Sequence, residues 1–516
     1  DPGHAGEGKE RLAARGVPFL VFSSNRPRLR GAEGTRTMLT SVSALFWLLL
    51  FAGGFAFASI LYARRRQGSL EDYIVARNSQ SAIATVMTLM ASTLGAWILF
   101  SPAQAATWGG LSAVIGYALG SMSPRLVLIP LGRRMREIMP AGHTLTEFLL
   151  ARYGRPLYAL VLLIMLFYMF ISLAAEITAM AKLVTLLAPV PLWVTAAIVM
   201  GCTLLYTSYG GLRASIFTDR LQMVIIVPLL LGLAVLGWKA TGGIAPTVAT
   251  LQQNAPRLLT LTDPLGIKAG FTFLVAILLT GLFHQGNWQR IYAARDTRTM
   301  RRGFVLAGIL VGPFILLMGL FGLAFMAITP DGDASVALFS VIMPHVPSWF
   351  AVALILLGLA LVMSTADTAI SAISSIVAVD LGRLAPQATP ASLLKVSRGL
   401  IFLLAIPVMI VAAQGYSVLY LFLLADLLCS AAAFPVFFGL FSQRHDGVTA
   451  TVSTLAGLAA GLLVFPAPNA PMTYLLESFL LAALVPVAVT GVLRLLRHRS
   501  ADFDFAALNA TVRRLN

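Results

Sequence analysis

A chain of 516 residues with 58% hydrophobic and 11% charged residues is too apolar for a soluble globular protein, in which about 45–50% of residues are apolar and about 25% charged. The net charge of +16 does not indicate nucleic-acid binding, because the basic residues lie in alternate loops between apolar segments, as orientation signals in membrane proteins do. The two cysteines, Cys202 and Cys429, provide neither a disulfide framework nor a metal-ligand spacing.

The chain begins with a polar stretch, residues 1–37, that is rich in Arg and Gly and precedes Met38. The hydrophobic opening MLTSVSALFWLLLFAGG starts at Met38. We interpret residues 1–37 as a non-native or disordered extension and exclude them from fold reasoning. Residues 38–500 are predicted to form one membrane domain, followed by a cytoplasmic tail over residues 501–516.

Apolar segments of about 20 residues, the length of a membrane-crossing helix, follow one another along the chain. About thirteen can be counted, and they begin near Thr40, Ser81, Leu111, Leu157, Pro191, Leu221, Ala269, Phe304, Pro347, Gly399, Ser417, Ala450 and Thr473. We therefore predict an all-α polytopic membrane protein. Lys and Arg concentrate in the odd-numbered loops, which places the N-terminus outside and the C-terminus in the cytoplasm of a plasma membrane, such as a bacterial inner membrane.

The second span has an irregular centre, ASTLGA over residues 91–96, where a lipid-facing helix would carry Leu and Ile. Gly95 weakens the helix there, and Pro102 weakens it again further on. A helix that unwinds near the midplane exposes backbone carbonyls, which are suitable ligands for a small cation. Close helix packing through small residues is the alternative interpretation.

The ninth span carries a polar stripe, because Ser364, Asp367, Thr368 and Ser371 fall at i, i+3, i+4 and i+7 and so share one helix face. Polar side chains inside a bilayer are costly and need partners, water or an ion. The half of the span before Ser364 is almost purely apolar, so the stripe runs from mid-membrane toward Asp380 only. This pattern predicts half of an ion pathway.

The sequence contains no P-loop, no GxGxxG after a strand, no HExxH and no GxSxG elbow. We therefore predict that the protein is not an enzyme and has no organic cofactor. Any energy source for transport would be an ion gradient.

Two stretches resemble a known family. The segment YTSYGGLRASIFTDRLQ, residues 206–222, and the run MSTADTAIS, residues 363–371, are similar to motifs of the sodium:solute symporter family. The resemblance implies a LeuT-type fold of two inverted five-helix repeats, here spans two to six and seven to eleven. It also implies a Na⁺ site made by carbonyls of Ala91, Leu94 and Leu361 and hydroxyls of Ser364 and Thr365.

The same resemblance implies a second ion site, or an ion exit route, at Asp219, Asp367 and Thr368. Some family members carry two serines where this chain has Asp367 and Thr368, so the number of coupled ions stays open. Two alternatives need no second ion. Asp219 could pair with Arg213 or Arg220, and Asp367 could be a buried acid that pairs with a neighbouring Arg.

The solute is expected beside the broken helix, where the candidate residues are Thr93, Trp97, Tyr117, Glu176, Thr280, His284 and Asp426. Two acids in this set favour a cation or a hydrogen-bond donor over a carboxylate. Glu176 could instead have a structural role and His284 a packing role. Several stretches look most like the urea/polyamine permease branch, which favours urea or a polyamine. A proline-type amino-acid symporter and a transporter-derived sensor subunit are the alternatives, and a monomer or weak homo-oligomer is expected.

Overall fold

The computed structural model describes residues 38–65, 69–385, 387–467, 473–496 and 502–512. The predicted extension over residues 1–37 lies outside these ranges. Seventeen α-helices occur in the described parts of the chain: α1 (Ser41–Arg64), α2 (Leu70–Ile74), α3 (Ala82–Ala91), α4 (Ser101–Ile138), α5 (Leu145–Tyr153), α6 (Arg155–Leu187), α7 (Leu192–Ala240), α8 (Ile244–Asn254), α9 (Pro264–Gly281), α10 (Gln285–Ala293), α11 (Thr297–Ile328), α12 (Ala337–Ile342), α13 (Trp349–Leu384), α14 (Pro390–Gln414), α15 (Val418–Phe438), α16 (Gly447–Val464) and α17 (Leu475–Leu496).

Eleven of the described helices are long and apolar enough to cross a membrane. They are α1, α4, α6, α7, α9, α11, α13, α14, α15, α16 and α17. This agrees with the predicted polytopic all-α protein, while the count of about thirteen crossings is not confirmed. Thirteen crossings would require that α7 counts as two spans divided at Gly211, and that α3 together with the part of α4 before Gly110 counts as one more.

Both α4 and α7 are kinked at a glycine. With 38 and 49 residues and a rise of about 1.5 Å per residue, each exceeds the hydrocarbon core of about 30 Å. Gly110 (φ 59°, ψ −153°) and Gly211 (φ 58°, ψ −156°) interrupt them. This left-handed backbone is open to glycine and costly for other residues, so the glycine in each helix allows the chain to change direction.

Two helices are broken inside the protein. The first break follows α3, where Ser92–Gly95 are irregular and one 3₁₀ turn, Ala96–Leu99, precedes α4. This break lies in the centre predicted from the sequence. The second separates α9 from α10, where the side chain of His284 accepts a hydrogen bond from the amide of Gly286 and so caps α10. The sequence analysis did not predict the second break.

Helix α13, which carries the polar stripe, lies at the centre of the bundle. Its most apolar window is 78% buried, against 22% for α17 and 28% for α14. It packs against α6, α7 and α14 and also contacts α1, α3 and α10. Because α13 meets both broken helices, it is the element that brings the candidate ion and solute residues together.

The described part of the C-terminal tail, residues 502–512, packs against α5. The guanidinium of Arg152 lies 4.2 Å from the ring centre of Phe503 and 5.8 Å from that of Phe505. Leu508 is buried, and the side chain of Asn509 accepts a hydrogen bond from the amide of Ala141. The tail therefore covers the face of the bundle that α5 forms.

Candidate ion and solute sites

The end of α3 and the middle of α13 meet at a cluster of oxygen atoms. Ser364 Oγ lies 3.0 Å from the carbonyl oxygen of Ala91 and 2.9 Å from that of Leu361. Thr365 Oγ1 lies 3.1 Å from the Leu361 oxygen. The break after α3 explains the contact, because the last carbonyls of a helix have no partner in their own helix. Leu94 lies in the same break and is buried.

The oxygen cluster has the chemistry of a weak monovalent-cation site. Ala91, Leu361, Ser364 and Thr365 contribute carbonyl and hydroxyl oxygens, which are hard and neutral. The described residues contain no group of three or more His, Cys, Asp or Glu side chains that could hold a metal ion. Neutral oxygens favour a Na⁺ ion that exchanges readily over a tightly held divalent ion.

Asp219 forms a buried ion pair with Arg290 of α10. Arg290 Nη2 lies 3.1 Å from Asp219 Oδ2, and both side chains are at most 1% exposed. The hydroxyl of Thr88 also donates to Asp219, while Arg290 Nη2 donates to Thr368 Oγ1 at 2.8 Å. One guanidinium therefore joins two of the three residues that the family resemblance assigned to a second ion.

The suggestion that Asp219 pairs with Arg213 or Arg220 is wrong. Arg213 bonds to Asp72 at 2.6 Å and Arg220 to Gln80 at 2.6 Å. Adjacent helical residues point about 100° apart, so Arg220 leaves the helix away from Asp219.

Asp367 is surrounded by hydroxyl groups. Tyr206 donates to it at 2.9 Å, Ser215 at 2.8 Å and Thr218 at 3.0 Å. Among the residues that the structure describes, no Lys, Arg or His pairs with Asp367 within 4.0 Å, so the suggested Arg partner is wrong. The family-like segment at residues 206–222 thus supplies three donors to Asp367 and also contains Asp219.

All seven solute candidates line one cavity of about 110 Å³. The ring of Trp97 stacks on Tyr117 at 5.5 Å and meets Phe422 edge-on at 6.2 Å. Thr365, one of the candidate ion ligands, also lines the cavity. The ion cluster and the cavity are therefore neighbours that share a side chain.

Two of the cavity residues also hold the broken helices. Glu176 Oε2 accepts a hydrogen bond from the amide of Ala96 at 2.7 Å, and a Cβ at Gly95 would collide with the Glu176 carboxylate. His284 caps α10 and meets Tyr168 edge-on at 5.9 Å. The structural role considered for Glu176 is therefore present, and both residues also face the cavity.

The sequence analysis missed Arg125 of α4. Arg125 is buried, lines the cavity and donates to the carbonyl of Ser121 and the hydroxyl of Thr93. An arginine between apolar residues of a span is costly, and this signal could have identified it. Further lining residues that were missed are Ser92, Ser121, Pro124, Tyr168, Ser172, Ile277, Gly281, Asn287 and Phe422.

Comparisons with known proteins place the chain among transporters. A model of the sodium:solute symporter family matches residues 73–457. The spermidine transporter DUR31 of Candida albicans is 25% identical over 402 residues, covering 76% of this chain and 74% of the relative. The sodium/pantothenate symporter of Escherichia coli is 27% identical, covering 53% of this chain and 59% of the relative. Other relatives are named for proline, urea and glucose.

A solved structure shows the fold. A Na⁺-coupled sialic acid symporter, in a substrate-bound outward-open state, superposes with a TM-score of 0.71 at 18% identity, covering 89% of this chain and 99% of that chain. It is a LeuT-fold protein, so the predicted LeuT-type architecture holds. The family and the relatives are transporters, as expected for a chain that is not an enzyme. With three quarters of its length matched by the family model, the chain belongs to the sodium:solute symporter family.

Proposed function

We propose that this protein is a sodium-coupled symporter that imports a small polar solute by alternating access. The contact between Ser364 and Ala91 carries the proposal, because it brings a freed helix end and a hydroxyl together beside the cavity. Na⁺ would bind to the carbonyls of Ala91, Leu94 and Leu361 and the hydroxyls of Ser364 and Thr365. With Na⁺ bound, the hydroxyl and carbonyl oxygens would point at the ion instead of being joined by hydrogen bonds, and the charge of the ion would hold α3 and α13 together.

Thr365 supports the coupling of ion and solute. Thr365 is one of the proposed Na⁺ ligands and also lines the cavity. A bound ion that fixes the position of its hydroxyl would therefore change the surface that contacts the solute. Coupling of this kind is reciprocal: the solute must strengthen Na⁺ binding by the same factor. We place ion release along Asp219, Asp367 and Thr368, with Arg290 as an internal cation on that route.

The cavity is the proposed solute site, with Thr93, Trp97, Tyr117, Glu176, Thr280, His284 and Asp426 in its wall. The acids and the resemblance to urea/polyamine permeases favour urea or a polyamine. A relative named for spermidine supports a polyamine, and one named for proline supports the amino-acid alternative. We place the membrane domain at residues 38–500, in a plasma membrane such as the bacterial inner membrane, with the N-terminus outside and the tail, residues 501–516, in the cytoplasm. The protein would act as a monomer or a weak homo-oligomer.

Uptake into proteoliposomes tests the proposal. The purified full chain is reconstituted, and uptake of radiolabelled urea, putrescine and proline is measured with an inward Na⁺ gradient, with equal Na⁺ on both sides, and with a proton gradient alone. We expect one solute to accumulate only with the Na⁺ gradient. Accumulation driven by protons alone would reject sodium coupling. Solute binding without accumulation under any gradient would favour the alternative of a transporter-derived sensor subunit.

A further inference from the structure

Besides Glu176, which is bonded to the helix break, the cavity contains a buried basic and a buried acidic side chain that do not pair with each other. Arg125 comes from α4 and Asp426 from α15, and both line the cavity while being at least 93% buried. Within the described ranges, neither side chain forms an ion pair with any residue at 4.0 Å or less. Buried charges without a counter-charge are strongly unfavourable, so each requires a partner from the bound state or from water.

The guanidinium of Arg125 has N–H donors that are not used in hydrogen bonds to the described residues. Two of its N–H groups reach the carbonyl of Ser121 and the hydroxyl of Thr93. Its Nε is buried and makes no hydrogen bond to the residues that the structure describes. A guanidinium carries five N–H donors in a planar fork that matches a carboxylate, so Arg125 is suited to an anionic group of the solute.

Asp426 offers the opposite chemistry at another wall. Phe422 precedes it by four residues on α15, so the two side chains share a helix face, and the ring of Trp97 lies against Phe422. A carboxylate next to aromatic rings suits an ammonium or quaternary ammonium group. The second acid, Glu176, is already bonded to the amide of Ala96, which leaves Asp426 as the acid that can meet an amine.

We infer that the transported solute is a zwitterion of the amino-acid class, with its carboxylate at Arg125 and its ammonium group at Asp426. The inference rests on the proposed symport and, because it takes Arg125 into account, selects the amino-acid alternative over urea or a polyamine. A polyamine would satisfy the acids but leave Arg125 without a counter-charge, and a simple anion would satisfy Arg125 but leave Asp426 without one. A neutral molecule such as urea leaves both charges without a counter-ion. A zwitterion supplies both counter-charges and adds no net charge to the cavity.

Thermal stabilisation of the purified full chain in Na⁺ buffer tests this inference. The zwitterions are L-proline, L-alanine, L-glutamine and glycine betaine; the comparison compounds are L-prolinamide, putrescine, spermidine, urea and cyclopentanecarboxylate. We expect at least one zwitterion to raise the melting temperature, and its amide and its amine-free analogue to bind about 10- to 100-fold more weakly. Stabilisation by putrescine, spermidine or urea alone, or by none of these compounds, would overturn the inference.

Substitutions then test which residue binds the carboxylate of the zwitterion and which binds its ammonium group. Arg125→Gln should weaken the stabilising zwitterion about 10- to 100-fold and reduce the preference for acid over amide, while Arg125→Lys keeps part of the affinity. Asp426→Asn should weaken the zwitterion and leave cyclopentanecarboxylate binding equal or stronger. A cooperative melting transition close to that of the unsubstituted chain reports that each variant is folded. Unchanged zwitterion affinity in folded Arg125→Gln would refute the assignment.

Failure of the two proposals can be told apart in proteoliposomes. Sodium-driven uptake of urea or a polyamine would refute the zwitterion and leave sodium symport standing. Zwitterion binding and uptake that do not respond to Na⁺ would refute sodium symport and leave the substrate class standing.

Discussion

The hydroxyl of Ser364 donates to the carbonyl oxygen of Ala91 across 3.0 Å, although 273 positions separate the two residues in the chain. The contact joins the first broken helix to α13. It exists because α3 ends at Ala91 and because Ser364 lies on the polar face of α13. We propose that Na⁺ binds at this contact.

Loss of either hydroxyl should weaken Na⁺ binding. We expect Ser364→Ala and Thr365→Ala each to raise the Na⁺ concentration for half-maximal uptake about tenfold, equivalent to about 1.4 kcal/mol, with much smaller effects on expression. The matched control is Ser453→Ala, because Ser453 is a buried serine of α16 whose hydroxyl, among the residues that the structure describes, bonds only to carbonyls of its own helix. An unchanged Na⁺ dependence in both site variants would show that the ion binds elsewhere.

Asp426→Asn should change solute preference more than ion dependence. The substitution removes the negative charge from the cavity wall and keeps the size of the side chain, and Asp426 is not among the proposed Na⁺ ligands. Solute competition and Na⁺ titration of uptake measure the two effects separately. A shift in Na⁺ dependence with unchanged solute preference would place Asp426 on the ion route instead.

Loss of either partner of the Asp219–Arg290 ion pair should lower the thermal stability of the protein. Removing one partner of a buried ion pair costs about 3–5 kcal/mol, because the other charge is left without a partner. We expect Asp219→Asn and Arg290→Met each to lower the thermal stability strongly, and the double variant to lose less than the sum of the two. Additive losses in the double-mutant cycle would mean that the two side chains do not interact.

Glu176 should be replaceable by glutamine and not by alanine. A glutamine oxygen can still accept the hydrogen bond from the Ala96 amide, whereas alanine leaves this amide without its partner at a cost of about 1–3 kcal/mol. Melting temperatures and sodium-driven uptake of the two variants provide the comparison. Equal stability of Glu176→Gln and Glu176→Ala would show that the helix break does not depend on this carboxylate.

The kink in α7 should require its glycine. Gly211 has φ 58° and ψ −156°, and a Cβ there would collide with Tyr73, so Gly211→Ala should destabilise the protein by more than the roughly 1–3 kcal/mol cost of this backbone conformation alone. Gly201→Ala is the control in the same helix, because, apart from the adjoining turns of its own helix, no atom of the described residues lies within 4 Å of the added Cβ. A control helix glycine should tolerate alanine or gain about 0.5–1 kcal/mol. Similar melting temperatures for both variants would contradict this account.

The sequence predicted those elements whose pattern lies within one short stretch of the chain. The polar stripe of α13 and the irregular centre of the second span were visible because spacing and small residues reveal them. Long-range pairing was not accessible in this way. Arg290 is 71 positions from Asp219, and helix periodicity does not say which buried side chains meet across a bundle. The break before α10 was missed because the polar run HQGNWQR, residues 284–290, follows an apolar segment and so resembles the end of a span and the start of a loop.

The position of Glu176 has a consequence for how tightly the ion and the solute would be coupled. Its carboxylate is bonded to the broken helix at Ala96, and Glu176 lines the same cavity as Thr365 of α13. In the proposed symport, a solute that contacts Glu176 and a Na⁺ ion bound by Thr365 would occupy neighbouring positions at this cavity. On this proposal, binding of one would therefore shift side chains that the other contacts, so that neither would cross the membrane efficiently alone.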